Sequence, residues 1–180
     1  MDRNSLFFKG HENTEITLRS LGDIEEGRGD LGTDMPVIVY RLMQFTMQNV
    51  LSSTFGVDIA NELFRQAGFL AGYEFAKSVL NLDQPFPEFI ASLQRTLQDY
   101  KIGIMRMESF DNDTGEITLT VAQDLDCSGL PITNENVCLY DEGFFMGILE
   151  SYTGKKYDFR EVDCWANGDR VCRFMGKVEQ

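Results

Sequence analysis

The sequence predicts an α+β fold, an antiparallel sheet with flanking helices around an apolar pocket. Two observations carry this prediction. Apolar residues recur at helical spacing through the first part of the chain and switch to a period of two beyond residue 102. Strong turn signals then join the alternating runs in pairs, so helices and strands are segregated along the chain.

The elements follow in order. Residues 1–32 form an N-terminal arm, with Leu6-Phe7-Phe8 and Ile16-Thr17-Leu18 as short strands and an acidic, glycine-rich loop from Gly22 to Gly32. The arm packs on the body or on a partner subunit and is a possible dimerisation element. Residues 33–180 form the main domain. Pro36 opens a helix with Asp34 as a nearby cap, and Val39, Met43, Met47, Val50 and Leu51 give it one apolar face up to Phe55-Gly56. A second helix runs from Asp58 to about Leu80, with Ile59, Leu63, Ala67 and Leu70 on one face. Gly68 and Gly72 within it cost roughly 1 kcal/mol each relative to Ala, which implies a very close neighbour. Pro85 and Pro87 break the chain before a third helix to about Tyr100, with Phe86, Phe89 or Ile90, Leu93 and Leu97 as its stripe.

Ile102–Glu108 and Ile117–Val121 alternate around Asp111-Asn-Asp-Thr-Gly115 and make a hairpin. Asp124 to Asn136 reads as a polar loop. Gly143 to Tyr152 is a fourth helix stopped by Gly154. Its Gly143, Gly147 and Ser151 make a small-residue face, suited to tight packing on the sheet or to a partner helix. Two last strands, Lys156–Asp163 and Val171–Val178, are joined through Asn167-Gly168.

Composition narrows the function. With 29 acidic and 16 basic residues the formal charge is −13 and the pI about 4.4, which disfavours nucleic acid and anionic membrane surfaces as partners. No apolar run is long enough to span a bilayer and no signal peptide is visible, so the expected location is cytoplasmic. The single histidine, His11, removes chemistries that need a paired imidazole. No nucleophile–base pair, phosphate loop or redox-cofactor motif can be assembled, so a binding module is expected rather than an enzyme.

Four cysteines in a reducing compartment point to metal ligands or free thiols. Cys164 and Cys172 lie eight residues apart across a hairpin, Glu161 stands three before Cys164, and Cys138 precedes the fourth helix. Three thiolates and a carboxylate match a closed, structural zinc shell, and buried thiols are the alternative. Cys127 reads as a spare thiol. The chain has 14 Phe and 8 Met, residue types that line adaptable apolar pockets and also fill ordinary cores. The pocket candidates are Met43, Phe64, Phe89, Leu93, Phe145 and Phe159, the last two residues before Glu161. Trp165, next to Cys164, is placed to shield a metal or to sit half-exposed.

Glu161-x-x-Cys164 … Gly168-Asp169-x-x-Cys172-x-Phe174 resembles the C-terminal signature of the vinyl-4-reductase (4VR) domain family, which includes the hydrocarbon-sensing domains of phenol- and xylene-responsive activators. Val137-Cys138 … Gly143-Phe-Phe-Met-Gly147 … Gly154, and the pair Gly68 and Gly72, are similar to the same family, so the resemblance spans about 33–178. It implies zinc held by Cys138, Glu161, Cys164 and Cys172, a homodimer, and a fold related to haem nitric-oxide-binding domains and vesicle-tethering subunits. It also implies binding or sensing of a small apolar, hydrocarbon-like molecule, signalled through an unknown protein partner. A tetrapyrrole-binding protein or vinyl reductase accessory, and a structural assembly subunit, are the alternatives. The chain departs from phenol-binding members, which hold the hydroxyl with a His and a Trp. The region around Leu93 offers only Gln94, and Val121-Ala122-Gln123 has no Trp.

Overall fold

A computed structural model describes residues 16–179. The chain divides into two compact units, Met1–Thr33 and Asp34–Gln180. In the first, Leu6-Phe7-Phe8 and His11 lie outside the described residues. The expected strand at Ile16-Thr17-Leu18 is instead the entry to a 3-10 turn over Leu18–Leu21. Thr17 caps it, accepting from the Ser20 N–H at 3.2 Å, and this local bond competes with extension. A short helix α1, Ile24–Gly27, follows with Asp23 as its cap.

The second unit carries α2 (Val37–Phe55), α3 (Val57–Val79), α4 (Phe86–Asp99), the hairpin β1 (Ile104–Phe110) and β2 (Ile117–Ala122), then α5 (Leu139–Thr153), β3 (Tyr157–Asp163) and β4 (Cys172–Val178). The sheet is antiparallel throughout, in the order β1-β2-β4-β3. Helix α5 enters between β2 and β3 and packs on β3, α3 packs on α5, and α4 packs on β1. Gly56 alone separates α2 from α3, at φ 89° and ψ 157°, a conformation only glycine adopts without strain.

The core joins the inner face of the sheet (Leu119, Val121, Phe159, Phe174) to α5 (Phe145, Ile148) and α4 (Phe89, Leu93, Leu97). Phe145 sits 5.3 Å from Phe174 and 6.1 Å from Phe159, ring centre to ring centre. The stripe expected on α4 is buried as read. On α3 the buried face is Ala60, Phe64, Gly68 and Gly72, while Ile59 and Leu70 are exposed. The glycines explain the rotation. A Cβ on Gly68 would lie 2.0 Å from the Tyr140 carbonyl oxygen, and one on Gly143 would lie 1.9 Å from that of Arg65. The small-residue face of α5 therefore meets α3, not the sheet.

Helix α2 is the larger departure. Its apolar face, Val39, Met43, Met47 and Val50, is more than half exposed, and its one buried residue is the polar Gln44. Within one chain nothing covers that face among the described residues.

Candidate metal centre and ligand cavity

Helix α5 begins at Leu139, four residues before the expected start, with Cys138 at its N-cap. Asp141 and Glu142 in its first turn look solvent-facing in the sequence but are buried. Glu142 is held there by Arg65, whose Nε donates at 2.5 Å, and by the backbone N–H of Glu161, donating at 2.9 Å. The latter contact ties the start of α5 to β3.

The loop after β2 is likewise not a solvated one. Asp124 Oδ1 accepts from the N–H of Asp126 at 2.8 Å and of Cys127 at 3.2 Å, which turns Cys127 inward. Arg41 on α2 grips the same loop, donating to the carbonyls of Leu125 at 2.7 Å and Ser128 at 2.9 Å. Further on, Thr133 and Asn134 donate to the Ala166 carbonyl, and the Trp165 indole donates to that of Leu130. Trp165 is about a third exposed and caps this layer from outside.

These elements bring Cys127, Cys138, Cys164 and Cys172 together, all buried, all free thiols, with every sulfur within 4.8 Å of the others. Cys127 and Cys172 are 3.0 Å apart, Cys138 and Cys172 3.7 Å, and Cys138 and Cys164 4.0 Å. All exceed the roughly 2.0 Å of a disulfide. A tetrahedral zinc with bonds of about 2.3 Å requires sulfurs about 3.8 Å apart, so the donor set fits such an ion. Cys127, which the sequence reading set aside, is thus a member of the cluster. Glu161 lies beside it: its Oε2 accepts from the Cys138 N–H at 3.1 Å, and its buried Oε1 has no partner.

Protons in this cluster are shared among the thiols. Hydrogen bonds from Cys127, Cys138 and Cys172 pull the Cys164 thiol well below the ordinary range. Cys138 and Cys172 are raised, first through Cys127. Burial pushes Glu161 up to about 8. Next to the sulfurs lie three buried carboxylates. Burial raises Asp124 and Asp141, and raises Asp126 to about 7 with help from the Asp124 charge.

On the other side of those carboxylates is a cavity of about 180 Å³ between α2, α3 and Tyr140, lined mainly by Met43, Met47, Leu51, Leu63 and Phe64. Tyr40 and Gln44 form its polar wall. The Tyr40 hydroxyl donates to Asp126 Oδ1 at 2.8 Å, and burial raises its pKa. Gln44 also hydrogen-bonds Asp126, while its own buried Oε1 has no partner. Of the pocket candidates, Met43 and Phe64 therefore line this cavity. Phe89, Leu93, Phe145 and Phe159 lie in the packed core, and Gln94 is half-buried on α4. Tyr40 and Gln44 were not read from the sequence; their helical spacing on the apolar side of α2 was the available signal.

No helix among the described residues is long and apolar enough to cross a membrane. The chain is 28% identical over 145 residues to the uncharacterized protein MJ1642 of Methanocaldococcus jannaschii, covering 81% of this chain and 79% of that one. Its fold is similar to the phenol-responsive sensory domain of the transcription activator PoxR, with a TM-score of 0.63 at 18% identity over 87% of this chain and 83% of that one. A vinyl-4-reductase family protein from Methanocaldococcus jannaschii gives 0.58 at 13% identity, over 83% and 85%. The same α+β architecture recurs in a trafficking protein particle complex subunit 3 from Naegleria fowleri, at 0.59 and 13% identity over 81% and 98%. It recurs in an H-NOX protein from S. oneidensis, at 0.50 and 9% identity over 76% and 74%. Residues 117–178, from β2 through Cys127, Cys138, Cys164 and Cys172 to the end of β4, match the family model of the vinyl-4-reductase (4VR) domain, and the resemblance carried by the C-terminal motif is borne out there.

Proposed function

We propose that this protein binds a small apolar molecule whose head donates a hydrogen bond, in a fold fastened by one zinc ion, and passes occupancy to a partner protein. The observation that carries this reading is the cavity beside Gln44. Its volume exceeds the roughly 150 Å³ of a dry cavity able to hold benzene, so a single substituted ring fits. Its polar wall presents acceptors: Gln44 Oε1 is unpartnered, and the Tyr40 hydroxyl has already given its proton to Asp126. A buried acceptor without a donor is costly, and a ligand hydroxyl or amine would relieve it. The likeness to the phenol-responsive domain of PoxR supports a small-molecule role without naming the ligand.

The zinc would be held by Cys127, Cys138, Cys164 and Cys172, with Glu161 alongside orienting Cys138. When bound it supplies a cross-link between α5, the loop after β2 and the β3–β4 hairpin, coupling metal affinity to folding. Sulfur geometry favours Cys127 over Glu161 for the fourth place, so Glu161→Gln retains zinc and Cys127→Ser loses it. Buried free thiols suit a reducing, cytoplasmic setting.

A second copy of the chain is the partner we assign to the exposed face of α2, since Met43 and Met47 both stand on that face and line the cavity mouth. The packed residues Phe89, Leu93, Phe145 and Phe159, with that uncovered face, also favour a second reading as a structural assembly subunit.

Calorimetric titration with benzyl alcohol, benzylamine, toluene and benzoate separates the two. Binding of the alcohol or amine about tenfold tighter than toluene, and loss of that preference in Gln44→Leu, supports the ligand reading. Absence of binding by all four probes, with a stable dimer by ultracentrifugation, supports the assembly reading instead.

A further inference from the structure

The geometry points to a second cation site, built by the carboxylates of Asp124 and Asp141 with the Cys138 sulfur, directly beside the four-sulfur cluster. It shares Cys138 with the zinc shell and so rests on that reading, but it uses residues that the shell leaves out. The ligand atoms of the three residues lie within 4.8 Å of one another, and Cys138 Sγ is 3.9 Å from Asp124 Oδ1. Oxygen and sulfur donors on one tetrahedral ion stand about 3.6 Å apart, so little movement is needed.

The second observation is what these carboxylates lack. Asp124, Asp126 and Asp141 are 3%, 2% and 7% exposed, and among the described residues none pairs with a Lys or Arg side chain. Arg41, which is near, directs its guanidinium to backbone carbonyls. Asp141 Oδ2 and Asp126 Oδ2 are buried with no hydrogen-bond partner at all. Asp124 and Asp141 do hydrogen-bond each other, so one proton can serve that contact. It leaves the two orphaned oxygens unanswered, and buried carboxylate oxygens without partners are costly. A divalent ion accounts for Asp141 directly and draws Asp126 as a neighbouring acceptor for its bound water. Two oxygens and a thiolate suit a borderline cation such as zinc, cobalt or ferrous iron, not magnesium or calcium. Cys138 would bridge the two ions.

Native mass spectrometry of the whole chain, reconstituted with excess zinc and desalted, reads the site. The expected result is two zinc ions on the wild-type chain and one on Asp141→Asn. One zinc on the wild type overturns the second site and leaves the thiolate shell standing. Two on both proteins places the extra ion elsewhere and also overturns it. No zinc on the wild type overturns the shell and the second site together. Should Asp141→Asn fail to fold, cobalt titration of the wild type decides. A thiolate charge-transfer band that changes until two equivalents are bound supports the bridge, and saturation at one overturns it.

Discussion

Substituting Gly143 tests the packing that sets the start of α5. In Gly143→Ala the new Cβ would lie 1.9 Å from the Arg65 carbonyl oxygen and 2.8 Å from the Phe69 nitrogen. Ordinary contact begins near 3.4 Å, so the two helices must part by about 1.5 Å. Both obstacles are backbone, so no side chain can swing away. Overpacking of this kind costs about 3 kcal/mol, the upper end of its usual range, against about 1 kcal/mol gained in helix propensity. The net loss of about 2 kcal/mol lowers Tm by roughly 4–8 °C in a chain of this size. Because Cys138 and Asp141 ride on the same end of α5, metal retention falls with it. Gly27→Ala is the control: it has nothing within 4 Å and stays within about 0.5 kcal/mol of wild type. Thermal unfolding of the two variants is the assay. A Gly143→Ala protein as stable as wild type would refute the close crossing of α3 and α5.

Three further outcomes are expected. Arg65→Met strips Glu142 of its nearest cation and costs about 3 kcal/mol in denaturant unfolding, and adding Glu142→Gln recovers part of it, which a double-mutant cycle reads. In metal-free protein, Asp126 and Glu161 keep protons that the unfolded chain has lost, with folded values near 7 and 8. Stability is then greatest below about pH 4 and falls as pH rises toward 8, and Asp126→Asn or Glu161→Gln flattens the slope of urea midpoint against pH. Trp165 is the chain's one tryptophan, adjacent to Cys164 and bonded to Leu130, so chelation of the metal shifts its emission to the red; an unchanged spectrum would detach it from the cluster.

Where hydrophobicity alone decides burial, the sequence was legible. The α4 stripe, both hairpins and the Gly154 stop follow from spacing and turn chemistry. Helix α3 was misread because its close contact is made by absent side chains: Gly68 and Gly72 weigh nothing in an apolar pattern, yet they choose the face. Helix α2 has a genuine apolar stripe, but one chain offers it no surface to cover. The acidic residues were the least legible. Asp124, Asp126, Asp141 and Glu142 look like solvated positions, and only the tertiary partners Arg65, Tyr40 and the Cys127 and Glu161 amides show why they are buried. The Asp-x-Asp-Cys run at 124–127 was the local signal for Cys127, since an Asp bonding the amide three residues on turns the thiol inward.

Elemental analysis of the purified protein, alongside Cys127→Ser, Cys164→Ser and Cys172→Ser, tests the metal centre most directly. The account predicts zinc in the wild type, lost from each variant together with thermal stability. Wild-type protein without metal, and cysteine variants as stable as their parent, would contradict it.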